Sequence, residues 1–138
     1  MGYGLSKRSL DRLEGLHPDL VRVVKVAIKN TTQDFMVGEG MRSIERQRQL
    51  VARGSSTTMN SRHLTGHAVD IHPYPYDGDV DGDGIPNGAD WDQYWPLEKA
   101  MKQAAQELGV ALVWGGDWKS FKDGPHFQLD WKAYPEDV

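Results

Sequence analysis

The sequence predicts an α+β domain, a short and mostly antiparallel sheet flanked by helices. Three observations lead there. Amphipathic helical stripes and short segments of alternating polarity are mixed along the chain, glycines such as Gly54 and Gly109 close the helical stretches, and no internal repeat or linker divides the sequence. At 138 residues the chain is the size of one domain, so residues 1–138 are read as a single unit.

The elements follow in order. Ser6 to Glu14 carries a turn or two of helix, with Leu10 and Leu13 expected to face inward. Pro18 to Asn30 is the first clear helix. Leu20, Val23, Val24, Ala27 and Ile28 keep the spacing of one buried face, and Pro18 suits a first turn, where a missing N–H costs nothing. Asp34 to Gly40 reads as a strand, with Phe35, Val37 and Glu39 on one face; Gly38 and Gly40 thin the other and admit close approach by another chain or a ligand. Ser43 caps a helix that runs to about Arg53 and stops at Gly54; Ile44, Gln47, Leu50 and Val51 give it a mixed face, and Arg46, Arg48 and Arg53 are read as solvated. Gly54 to Ser61 is a polar loop. Asp92 caps the next helix, from about Gln93 to Leu108, with Leu97, Met101, Ala104, Ala105 and Leu108 inward. Val110 to Trp114 has strand length, and Trp114 and Trp118 suit either a groove wall or the core. A strand around His126 and a polar tail from about Tyr134 close the chain.

The segment Ser61 to Asp70 carries the first chemical signal. Ala68-Val69-Asp70-Ile71-His72 alternates as a strand, which sets Asp70 on one face and His63 on the turn before it. An imidazole and a carboxylate that reach one point form a candidate zinc site, since zinc takes His nitrogen and Asp oxygen at roughly 2.0–2.2 Å. A third ligand is available in Asp123-Gly124-Pro125-His126-Phe127-Gln128-Leu129, where Phe127 and Leu129 alternate with His126 and Gln128. Two His and one Asp leave the fourth tetrahedral position to water, the mark of a catalytic rather than a structural site. Asp123, on the Gly-Pro turn before His126, is placed to take that water's proton. His72 shares the Asp70 face and reads as a structural histidine, with a supporting or ligand role as the alternative; His67 borders the groove, and His17 is assigned no chemistry.

The second signal is Asp79 to Asp90. Asp79, Asp81 and Asp83 stand at positions 1, 3 and 5 of a calcium loop, Gly84 makes its turn, Ile85 offers a carbonyl, Asn87 falls at position 9 and Asp90 at position 12. Asp90 replaces the usual Glu. The alternative is an acidic, solvated turn without an ion.

Composition removes several classes. A net charge of −4 argues against nucleic acid as a partner, because phosphate binding needs a basic surface. Five aspartates between Asp77 and Asp90 carry much of that charge. The absence of cysteine rules out disulfides and thiolate zinc sites, so zinc must be held by His and carboxylate. No apolar run is long enough to span a bilayer, and Met1 to Arg8 shows no export signal.

Ser61-Arg62-His63-Leu64-Thr65-Gly66-His67-Ala68-Val69-Asp70 resembles the Ser-x-His-x-x-Gly-x-Ala-x-Asp motif of the zinc D-Ala-D-Ala peptidase superfamily, to which the hedgehog signalling domain is related, and Asp123-x-x-His126 resembles its second motif. Within that group the chain is most similar to the L-alanyl-D-glutamate peptidases that tailed phages use as endolysins, over nearly its whole length. The resemblance implies the same α+β fold, zinc on His63, Asp70 and His126, Asp123 as general base, and Arg42 holding the substrate and the oxyanion. Many relatives carry Glu where this chain has Asp123. It further implies an enzyme that cuts the L-Ala–D-Glu bond of peptidoglycan; a monomer without stable membrane binding is expected. Such an enzyme resides in the host bacterial cytoplasm and reaches the periplasm and cell wall at lysis through a phage holin. Two alternatives stay open: a D-Ala-D-Ala carboxypeptidase or dipeptidase, and a non-catalytic zinc- and calcium-binding module.

Free calcium is scarce inside a bacterium and more plentiful outside its inner membrane, so calcium is expected to order residues 79–90 once the enzyme reaches the wall. Calcium should then stimulate wall hydrolysis at fixed zinc, and Asp81→Ala should abolish the stimulation. Equal turnover with and without a calcium chelator would remove this role.

Overall fold

A computed structural model of the chain describes residues 3–54, 62–74, 94–119 and 124–135. The candidate base Asp123, the candidate calcium ligands Asp79, Asp81, Asp83, Ile85, Asn87 and Asp90, the loop 55–61 and the cap Asp92 lie outside these residues. The described elements are α1 (Lys7–Arg12), α2 (Pro18–Asn30), β1 (Phe35–Glu39), α3 (Ile44–Ala52), β2 (Ala68–Pro73), α4 (Tyr94–Leu108), β3 (Leu112–Trp114) and β4 (His126–Leu129), with 3-10 turns at Arg62–Thr65 and Gly115–Asp117. The strands form an antiparallel sheet of order β1-β2-β4-β3, and the architecture is the α+β one that the sequence predicts.

The core lies on one face of this sheet. Val37, Val69, Ile71, Phe127 and Leu129 meet the apolar faces of α2 and α4, where Leu20, Val23, Val24 and Ala27 pack with Leu97, Met101, Ala104 and Ala105. Burial of such side chains contributes roughly 25 cal/mol per Å² of apolar area removed from water. Helix α2 starts with Pro18 in its first turn and takes its cap from His17, whose Nδ1 accepts the Asp19 N–H at 3.1 Å. Helix α3 is capped by Ser43 Oγ, which accepts from Arg46 N, and Gly54 follows its end at φ +77°. Among the described residues no helix is long and apolar enough to cross a membrane.

Four expectations need correction. Leu10 is exposed, and Ser9 is the buried residue of α1. The reason is the edge of the sheet: Ser9 Oγ accepts the Val37 N–H at 2.9 Å, and Arg12 donates to the Val37 carbonyl at 2.9 Å, so α1 turns a polar face to β1. Glu39 does not share a face with Phe35 and Val37. A bulge between Val37 and Glu39 shifts the register, and Glu39 pairs with Asp70 on the opposite face. Ile44 is exposed at the start of α3, whose buried residues are Gln47 and Leu50. Tyr134 is not part of a free tail: its hydroxyl donates to Asp19 at 2.7 Å and its ring packs edge-on against His17.

Two glycines allow close backbone approach. A Cβ on Gly40 would lie 2.2 Å from the Arg12 carbonyl oxygen, and one on Gly66, at φ +77°, would lie 2.6 Å from that of Gly15. Gly40→Ala should therefore cost about 1–3 kcal/mol, the usual range for forced overpacking. Gly4→Ala, which would meet nothing within 4 Å, should leave the melting temperature unchanged; calorimetry of the two variants checks the contrast.

Candidate metal centre

Three side chains converge where β2 and β4 pair. Asp70 stands opposite His126 in the ladder, and the 3-10 turn Arg62–Thr65 brings His63 to the same point. Asp70 Oδ1 lies 3.2 Å from His63 Nε2 and 3.3 Å from His126 Nδ1. One ligand atom from each residue falls within 4.8 Å of the others. Ligands at 2.0–2.2 Å around a tetrahedral zinc stand roughly 3.3–3.5 Å apart, so the Asp70 separations already suit such an ion. His63 and His126 are buried and Asp70 half-buried.

The hydrogen bonds around the triad select the tautomers. His63 Nδ1–H donates to the Gly40 carbonyl at 2.8 Å, which turns the Nε2 lone pair toward Asp70. His126 Nε2–H donates to Gln128 Oε1 at 2.7 Å, which turns its Nδ1 lone pair the same way. Two lone pairs and a carboxylate that face one another repel unless a cation sits among them, and this donor set fits zinc. When the facing nitrogens of His126 and His63 carry protons instead, burial opposes the charge of Asp70 but their hydrogen bonds outweigh it and hold the carboxyl below the ordinary carboxylate range.

Arg42 flanks this centre. Its backbone N–H donates to the His63 carbonyl at 2.9 Å. Its guanidinium is gripped by Glu39 through Nε and Nη2, at 2.9 and 2.8 Å, and by Gln47 Oε1 through Nη1 at 2.7 Å. A guanidinium has five N–H groups, and these bonds use three of them. The bulge that moves Glu39 across the sheet is what makes the grip possible.

The other histidines do not join the triad. His72 Nδ1 lies 3.3 Å from the Tyr94 hydroxyl, and its ring fills the space that a Cβ on Gly38 would need. Burial, opposed by the charge of Asp70 and helped by that of Arg12, lowers its pKa below the ordinary histidine value. His67 Nδ1 pairs with the Thr65 hydroxyl at 2.7 Å, and its ring lies 5.6 Å from that of His17. The two tryptophans divide: Trp114 is buried in the core and donates Nε1–H to the Gly124 carbonyl at 2.7 Å, while half-buried Trp118 packs 5.1 Å from the ring of His126.

Sequence reasoning missed Arg62, Glu39, Gln47 and Gln128 as parts of the site. Arg62 is buried beside its ligand neighbour, donates to the Leu129 carbonyl at 3.2 Å and to that of Tyr134, and lies 4.0 Å over the Trp131 ring. A charged residue next to a ligand in a motif was the available signal.

Glu39 provides a pH test. Burial opposes its charge, but the hydrogen bonds and charge of Arg42 hold its carboxyl below the ordinary value of 4.5. A depressed folded pKa stabilises the fold above the unfolded value, and that contribution fades as pH falls through the folded one. The parent should therefore exceed Glu39→Gln in melting temperature by a constant margin above about pH 5, and the margin should shrink below it.

Comparison with known proteins accords with this geometry. Residues 1–130 match the family described as phage L-alanyl-D-glutamate peptidase. The chain is 32% identical over 126 residues to the L-alanyl-D-glutamate peptidase of Escherichia phage T5, covering 89% of this chain and 87% of that protein. It is 34% identical over 131 residues to the peptidoglycan L-alanyl-D-glutamate endopeptidase CwlK of Bacillus subtilis, covering 83% and 73%. The crystal structure of the Serratia marcescens L-Ala D-Glu endopeptidase ChiX superposes with a TM-score of 0.81 at 44% identity, over 94% of this chain and 92% of that one. A match across nearly all of the sequence, on a fold that brings His63, Asp70 and His126 together, leads to one conclusion: the chain belongs to the phage L-alanyl-D-glutamate peptidase family.

Proposed function

We propose that this protein is a zinc-dependent peptidase that hydrolyses the L-Ala–D-Glu bond of peptidoglycan stem peptides and serves as a phage endolysin. The observation that carries the reading is the convergence of His63 Nε2, Asp70 Oδ1 and His126 Nδ1 in a chain whose relatives carry L-alanyl-D-glutamate peptidase names. His63, Asp70 and His126 would hold the metal. Zinc in such a site polarises the scissile carbonyl and lowers the pKa of its bound water to about 7.

The chain's own residues supply the rest. Asp123 takes a proton from the attacking water and delivers it to the amine of D-Glu as the bond to the L-Ala carbonyl carbon breaks. Arg42 faces the charge that develops on the carbonyl oxygen; its grip by Glu39 and Gln47 means that little reorganisation is needed at that moment. Asp79, Asp81, Asp83, Ile85, Asn87 and Asp90 bind calcium, which modulates activity. The enzyme acts as a monomer without stable membrane binding, and a holin gives it access to the wall from the host cytoplasm.

The test is mass spectrometry of purified peptidoglycan digested by the zinc-loaded protein, with Asp123→Ala beside it. New L-Ala carboxyl and D-Glu amino termini should appear and fall by about 10²-fold or more in the variant, the scale of a lost acid–base group. Release of D-Ala would instead assign a D-Ala-D-Ala carboxypeptidase or dipeptidase. Intact stem peptides would favour a binding module.

A further inference from the structure

Gln128 is two residues after His126 on β4, so the two side chains share the face that carries Asp70. Its cross-strand partners are Ala68 on β2 and Val113 on β3. Neither partner is polar, and Ala68 is small. The Gln128 side chain can thus lie along its own strand, where Oε1 reaches His126 Nε2 at 2.7 Å. It is a buried residue between the central and edge strands of the sheet. A buried amide oxygen without a donor costs about 1–3 kcal/mol, so this position favours Gln only if its hydrogen bond is made.

We propose that Gln128 is the positioning residue of the metal centre: it sets the tautomer and ring orientation of His126, so that Nδ1 presents its lone pair beside Asp70. The inference rests on the zinc reading of the site. The matching task at His63 belongs to a backbone carbonyl, that of Gly40, at 2.8 Å. A main-chain acceptor cannot be removed by substitution, which makes Gln128 the adjustable half of the support. As a neutral acceptor it orients the imidazole without adding a negative charge beside Asp70. Outer partners of ligating histidines typically change metal affinity by 10–100-fold.

The experiment is zinc affinity by competition with a chromogenic chelator, for the parent, Gln128→Leu and Gln128→Glu, together with the visible absorption spectrum of each protein loaded with Co²⁺. Leu keeps the bulk and removes the acceptor; Glu keeps the acceptor. Gln128→Leu should bind zinc about 10–100-fold more weakly with an altered Co²⁺ spectrum, while its circular dichroism stays that of the parent. Gln128→Glu should bind at least as tightly as the parent. Should Gln128→Leu not fold, Gln128→Met takes its place with the same expected loss. Parent-like affinity and spectrum in the apolar variant, or a Gln128→Glu protein as weak as the apolar one, would overturn the assignment. A parent protein that binds no zinc would overturn the metal reading itself, and Gln128's role with it.

Discussion

The pairing of β2 with β4 is the constraint on which the molecule depends. Asp70 and His126 are far apart in sequence, and only this antiparallel register sets them opposite each other. A slip of one residue would turn Asp70 into the core and Val69 or Ile71 into the site, because successive strand side chains alternate faces. The apolar alternation that buries Val69, Ile71, Phe127 and Leu129 therefore guards the metal centre as strictly as any contact within it. His63 then needs only a short turn, and Gly66 at φ +77° packs that turn against the backbone of Gly15.

Charge around the centre is arranged in two separate groups. Asp70 sits between two imidazoles whose outer nitrogens are engaged by neutral acceptors, a carbonyl and an amide. Glu39, which the bulge brings opposite Asp70, is neutralised by Arg42 rather than left to compete for a cation. The site thus presents one carboxylate to the metal and one guanidinium beside it. A cation bound there would meet groups that need not rearrange, and the charge of Arg42 is fixed beside it by Glu39 and Gln47. Because the candidate ligands come from a turn and two strands, a metal bound there would tie those elements together and be coupled to folding.

How much of this could be read from residues alone follows from the range of each signal. Helices α2 and α3 carry caps and stops at their ends, and local chemistry delimits them. His63, Asp70 and His126 announce themselves by residue type on alternating strands, and the resemblance of Ser61 to Asp70 to a known motif names their chemistry. The bulge is different: Gly38 looks like any thin strand position, and only pairing with β2 turns Glu39 over. Leu10 misled because α1 is too short for its stripe to define a face, and its inward side is polar to suit a strand edge. Gln128 gave no warning, since a glutamine in an alternating segment reads as solvent-facing until its burial is known, and Gln47 reads only as part of a mixed helix face rather than as a partner of Arg42. The calcium-loop pattern and Asp123 lie outside the described residues and rest on the sequence and the family resemblance.

The contact of α1 with β1 bears on how the protein behaves at high concentration. An edge strand offers its outward N–H and C=O groups to any other extended chain, and unprotected edges are where sheets grow into aggregates. At Val37 both groups are taken, one by the Ser9 hydroxyl and one by the Arg12 guanidinium. A six-residue helix with little apolar surface thus blocks strand-to-strand growth at the middle of this edge. Two side chains, those of Ser9 and Arg12, guard the sheet edge against pairing with another chain.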